Sequence, residues 1–115
     1  MPPLCTVDVA TDAGVRVVRL AGEVDLSNVA YIESQLTAAV ADVDAVVVDL
    51  AALDYVDSSG LGMLERLARR IAVRLVVPDG AVIGRTLRVT GLDQLVPVFP
   101  DCAAAVAAGV PPATN

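Results

Sequence analysis

Along the 115-residue chain, apolar and polar positions alternate first with a period of two and later with a period near 3.6. From Leu4 to Ala10, Cys5, Val7 and Val9 fall on one side and Leu4, Thr6 and Asp8 on the other, the pattern of a half-buried strand. Thr11-Asp12-Ala13-Gly14 reads as a turn and Val15 to Leu20 as a second strand, so the chain opens with a hairpin. Gly22-Glu23-Val24-Asp25-Leu26 reads as a connecting loop. Ser27 is a natural N-cap for a helix whose apolar positions are Val29, Ile32, Leu36 and Val40.

Ala45 to Leu50 is an apolar run broken only by Asp49, as expected of a strand covered on both faces, and Leu53-Asp54-Tyr55-Val56 continues it. The next segment, Leu61 to Ile71, is helical, with Leu61, Leu64, Leu67, Ala68 and Ile71 as its buried stripe. Val73 to Val77 is a short strand ended by Pro78-Asp79-Gly80. Residues 81–90 form a shorter helix stopped by Gly91. Val96 to Phe99 suits an edge strand, because Pro97 has no N–H to give to a ladder. Asp101 to Ala108 is an Ala-rich helix. The strand–helix–strand unit from Ala45 to Val77 implies parallel strands joined by a right-handed crossover. The expected class is therefore α/β, a mixed sheet of four to five strands opened by the hairpin and packed with about four helices. One domain spans residues 1–110, and 111–115 form a flexible tail.

Asp57-Ser58-Ser59-Gly60-Leu61-Gly62 falls where the strand ends and the helix begins. Backbone N–H groups at a helix start are unpaired and receive anions, so a serine there either caps the helix or carries a phosphate that the terminus stabilises. At 100° per residue, Ser59, Met63, Arg66 and Arg70 share a flank roughly opposite the apolar stripe. That flank is either an ordinary solvated face or a docking surface, with methionine for adaptable apolar contact and arginine for anchoring bonds. Gly60 and Gly62 cost helix stability but let a partner approach Ser59 closely.

Composition narrows the chemistry. Apolar residues make up 56% of the chain and aromatic ones 3%, enough for an aliphatic core but little for a base-stacking surface. The net charge of −6 argues against nucleic acid and anionic membranes as partners. It is uneven: residues 1–57 hold ten acids and two arginines, residues 58–115 four acids and six arginines, with no lysine anywhere. That bias, with the richness in alanine and valine, points to a high-GC bacterial genome. With no histidine and no lysine, neither a histidine-dependent triad nor a phosphate-binding lysine loop can be built. Glu23, Asp25, Asp54 and Asp57 could converge on a magnesium ion, although capping and solvation explain them as well. No metal and no cofactor is expected. Cys5 and Cys102 have no motif spacing and read as reduced thiols of a cytoplasmic protein. No run approaches the ~20 apolar residues of a membrane span, and the N-terminus lacks the pattern of a signal peptide.

In order along the chain, Leu20-Ala21-Gly22-Glu23-Val24-Asp25, Val46-Val47-Val48-Asp49-Leu50, Val56 to Gly62 and Thr90-Gly91-Leu92-Asp93 resemble the STAS domain of bacterial anti-sigma factor antagonists. The resemblance implies a single small α/β domain. It implies that Ser59 is phosphorylated by a cognate anti-sigma factor serine kinase, and that a phosphatase reverses the mark. The unphosphorylated form would bind the anti-sigma factor and free the sigma factor. Asp25 and Asp57 would border the phosphosite and engage the kinase, and Ser58 would be a neighbouring hydroxyl and cap. The alternative from a different class is a STAS-type scaffold or accessory subunit of a larger signalling or transport complex. In the family, the connection between the second helix and the next strand is usually longer than Arg69 to Arg74 allows here. The helix should therefore end early or the strand start late.

Overall fold

A computed structural model describes residues 3–109 of the chain; the tail expected at 111–115 lies outside them. Strands β1 (Cys5–Asp12) and β2 (Val15–Val24) form the opening hairpin, in antiparallel register from Cys5 opposite Gly22 to Asp12 opposite Val15. Its two-residue turn uses left-handed backbone at both positions, Ala13 at φ 51° and Gly14 at φ 80°, which matches the twist of the strands. Helix α1 (Val29–Ala39), strand β3 (Ala45–Val56), helix α2 (Ser58–Arg70) and strand β4 (Ala72–Val76) follow. Then come helices α3 (Val82–Thr90) and α4 (Leu92–Leu95), strand β5 (Val98–Phe99) and helix α5 (Cys102–Gly109).

The sheet has five strands in the order β1-β2-β3-β4-β5, with the last three pairings parallel. The described residues hold five helices, in keeping with the expected count of about four. The addition is the single turn Leu92–Leu95, which starts after Gly91 ends α3 in the left-handed conformation (φ 79°). One face of the sheet packs Val18, Leu20, Val48 and Leu75 against Ile32, Leu36, Leu64, Leu67, Leu87 and Leu92 of α1 to α4. On the other face Ala105 and Val106 of α5 cover Val15, Val17, Val47 and Val76. Val46, Val47 and Val48 of central β3 have no exposed surface, as the continuous apolar run requires.

β3 is longer than its apolar run because it carries two irregularities. Its pairing with β2 shifts by one residue between Arg19/Asp49 and Ala21/Ala52, and again between Gly22/Leu53 and Glu23/Tyr55. Buried residues therefore recur three apart, at Leu50, Leu53 and Val56, while Ala51, Ala52, Asp54 and Tyr55 are exposed. Asp49 anchors the first shift. It is 3% exposed, accepts from the Ala51 N–H at 2.9 Å and pairs with Arg19 at 3.1 Å. The same pairing carries Gly22 to Val24 into β2, where a loop was expected. Gly22 has to be glycine: its φ is +112°, and a Cβ there would sit 2.1 Å from the Leu4 carbonyl oxygen.

The connection between α2 and β4 is a single residue. Helix α2 runs to Arg70, and Ile71 turns to extended backbone while donating its N–H to Leu67. β4 then starts at Ala72, so neither an early helix end nor a late strand start is needed. Cys5 is buried and Cys102 half-buried, both as free thiols. Desolvation is the first cause pushing the pKa of each thiol up, which keeps them protonated. No helix of the described residues is long and apolar enough to cross a membrane.

Candidate functional site

The loops after β2 and β3 lie side by side at the carboxyl ends of the parallel strands, where open α/β sheets bind their ligands. Asp57, the residue between β3 and α2, joins them. Its backbone N–H donates to the Val24 carbonyl at 3.2 Å, and one carboxylate oxygen accepts from the Leu26 N–H at 3.2 Å. The other carboxylate oxygen accepts from the N–H groups of Ser59 at 2.9 Å and Gly60 at 3.1 Å, and from the Ser59 hydroxyl at 2.5 Å. Asp57 is thus the N-cap of α2, the role expected of Ser58. A carboxylate satisfies two helix-terminal N–H groups and meets the positive end of the helix dipole, which a serine hydroxyl does less well. Ser58 is the first helical residue and is exposed.

The carboxyl pKa of Asp57 is held below its ordinary value. The Ser59 hydroxyl is the largest cause; desolvation opposes it, and the N–H groups of Gly60, Ser59 and Leu26 add to the lowering. Asp57 is therefore ionised near neutral pH. Ser59 itself is half-buried, with its hydroxyl turned onto that charge.

Asp25 sits in the neighbouring loop, but its carboxylate is turned to Ser27, accepting from the Ser27 N–H at 2.8 Å and from its hydroxyl. It reaches the Ser59 site only through the backbone of Leu26. The N-cap of α1 is Asn28 rather than Ser27, because Ser27 is occupied with Asp25. The Asn28 side chain points back into the loop, accepting from the Asp25 N–H at 2.9 Å and donating to the Glu23 carbonyl at 2.9 Å. The run Asp25-Leu26-Ser27-Asn28 signals such a side-chain-closed turn. Leu26, exposed at 79%, is the residue that sequence reasoning passed over. Among the described residues no group of three or more metal-ligating side chains gathers, so Glu23, Asp25, Asp54 and Asp57 do not form one.

The α2 flank departs from the exposed stripe that helix geometry predicts. Met63 is 1% exposed and lies in the main core. Arg66 is exposed but bound to α1, donating through Nε to Glu33 at 2.9 Å and through Nη2 at 2.7 Å. The Arg66 pair is the first cause that holds the Glu33 pKa below its ordinary value. Arg70 is exposed at the C-terminal end of α2. The part of that flank holding Met63, Arg66 and Arg70 therefore faces α1, whereas Ser59 is turned onto Asp57, and Met63 is core rather than docking surface. Helix α2 is packed on both sides, so its buried arc is wider than its five apolar positions alone mark out.

Gly60 and Gly62 differ as well. Gly60 is buried, and a Cβ there would lie 2.4 Å from Val56 Cγ2 and 3.1 Å from Val24 Cγ1, so it serves the approach of α2 to the sheet. Gly62 faces outward, with only the end of the Arg66 side chain at 3.2 Å. It opens onto a cleft of about 220 Å³ between α2 and α4, lined by Ser58, Leu61, Glu65, Thr90, Leu92 and Leu95.

A family model for the STAS domain matches residues 6–105. Anti-sigma-F factor antagonist RsfB of Mycobacterium tuberculosis is 35% identical over 102 residues, 85% of this chain and 84% of that protein. The crystal structure of an anti-sigma factor antagonist from Mycobacterium paratuberculosis superimposes with a TM-score of 0.83 at 31% identity, covering 90% of this chain and 92% of that one. The Bacillus cell fate determinant SpoIIAA in its phosphorylated form shares the fold, with a TM-score of 0.66 at 19% identity over 91% of this chain and all of that one.

Proposed function

This chain belongs to the STAS domain family, and we propose on that premise that it is an anti-sigma factor antagonist switched by phosphorylation of Ser59. The unphosphorylated form binds an anti-sigma factor that is also a serine kinase, and so releases the sigma factor. The kinase transfers the γ-phosphoryl group of ATP to Ser59: a bond forms from the serine oxygen to phosphorus, the bond to the departing ADP breaks, and the hydroxyl proton is lost. A phosphatase hydrolyses the ester and restores binding. The chain supplies the accepting hydroxyl and its setting, and the partner supplies the catalytic groups.

The observation that carries this reading is the setting of Ser59. Its hydroxyl lies at the first turn of α2, beside N–H groups and a helix dipole that tolerate added negative charge. Along the same first turns of the helix, Ser58 and side-chain-free Gly62 line the cleft between α2 and α4. Phosphate there adds about −1.5 to −2 charges next to ionised Asp57, enough to repel an acidic surface and to crowd a close-fitting one. Asp25, Arg70 and the rim of that cleft are the proposed partner contacts, with Asp57, Ser58, Gly60 and Gly62 shaping the loop; Arg66 contributes at its exposed edge.

Calorimetric titration with the cognate anti-sigma factor tests the reading. Ser59→Ala should bind like the unmodified protein and stay bound in the presence of ATP. Ser59→Asp and Ser59→Glu should bind at least about tenfold more weakly, a difference of about 1.4 kcal/mol. Equal affinity for all four proteins would remove Ser59 from the interface.

A further inference from the structure

We propose that Asp57 is a positioning residue that couples the state of Ser59 to the Asp25–Asn28 loop, so that phosphorylation releases this loop as well as marking the helix. The proposal deepens the reading of Ser59 as a phosphosite and rests on it. The Asp57 carboxylate is shared between two elements: one oxygen holds the start of α2 and the Ser59 hydroxyl, the other holds the Leu26 N–H.

The loop is otherwise tied to itself and to the end of β2. The Asp25 N–H donates to Asn28, the Ser27 N–H to the Asp25 carboxylate, and the N–H groups of Asn28 and Val29 to the Asp25 carbonyl. Among residues 25–28, the Leu26 N–H is the group that bonds to the N-cap of α2, Asp57. With that bond cut, the turn keeps its internal bonds and its tie to Glu23 at the end of β2 but loses its hold on the start of α2, and it carries the most exposed leucine of the site, Leu26.

Phosphorylation acts on the other side of the same carboxylate. The serine hydroxyl loses its proton and can no longer donate to Asp57. The phosphate places like charge beside the carboxylate and competes with it for the Ser59 and Gly60 N–H groups. Asp57 must turn away or give up those donors, and either motion pulls its second oxygen from Leu26. The switch then withdraws an apolar contact, Leu26, together with the change in charge.

Amide hydrogen exchange on the intact chain, with phosphoserine encoded at position 59, tests the coupling without any kinase. The Leu26 amide should exchange roughly tenfold faster in the phosphoserine protein than in the unmodified one, the scale of one lost hydrogen bond. Ser59→Ala, which removes the hydroxyl but adds no charge, should leave Leu26 protected. Asp57→Asn keeps a good cap, yet with its oxygen on α2 it turns an NH₂ group toward Leu26. Its Leu26 amide should exchange fast in both states of residue 59. Unchanged Leu26 exchange in the phosphoserine protein, with shifts confined to Ser59 through Gly62, would overturn the proposal. So would loss of Leu26 protection in Ser59→Ala. Failure of a kinase to modify Ser59 would instead count against the phosphosite and leave these rates as measured.

Discussion

One carboxylate, that of Asp57, accepts four hydrogen bonds from two elements, and its ionisation has a consequence for stability. Its folded pKa is depressed, first by the Ser59 hydroxyl. Those of Asp42 and Glu33 are depressed too, first by hydrogen bonds from Arg16 and Arg66. A depressed folded pKa contributes stability that is fully present above the unfolded value, near 4, and is lost as pH falls through the folded value. Thermal melts should therefore be nearly flat from pH 7 to about 5 and drop below about 4, with Asp57→Asn making the drop shallower. A melting temperature that rises on acidification would contradict these assignments. At this scale the sequence marked the helix start at Ser58, because a polar run between an apolar strand and an amphipathic helix has few possible geometries, but it did not mark Asp57 as the cap. It misled for Met63, 1% exposed, because a helical wheel shows which side a residue faces but not that a second helix covers that side. An apolar residue four before Leu67 and three after Gly60 was the available signal.

At the scale of elements, helix α2 is fitted to the sheet by an absence. With a Cβ at position 60 placed 2.4 Å from Val56, Gly60→Ala should cost about 1–3 kcal/mol in urea unfolding, since neighbours buried in the core cannot shift freely. Gly62→Ala meets only Arg66 Nη1, the guanidinium nitrogen not bonded to Glu33, at the far end of a long side chain that can shift by a few tenths of an ångström, and should be neutral or stabilise the helix by up to about 1 kcal/mol. Equal destabilisation by the two would mean that α2 is not seated as described. Every element long enough to show a period was legible: the hairpin, α1, the apolar core of β3, α2 and β4. The continuation of β3 to Val56 was legible too, but which of its residues face inward was not. Its inward residues, Leu50, Leu53 and Val56, are spaced by three, and only the shifted pairing with β2 reconciles that spacing with a strand. The turn Leu92–Leu95 was missed because four residues are too few to display any period.

For the whole molecule, the parallel strands bring the β2 and β3 loops to one edge, and α2 starts there with Ser59. The crossover from Ala45 to Val77 makes that arrangement readable from the chain itself, since it puts loops and helix starts at the carboxyl end of the sheet. What the sequence could not display was the hydrogen bond from Leu26 to Asp57, which joins residues 31 positions apart. The central claim is that this edge is a binding surface switched at Ser59. Its most direct test is the intact mass and phosphosite mapping of the chain after incubation with ATP and a competent cognate anti-sigma factor kinase. The account predicts a single phosphate, located on Ser59 and absent from Ser59→Ala. An unchanged mass, or a phosphate on Ser58 or any other residue, would contradict it.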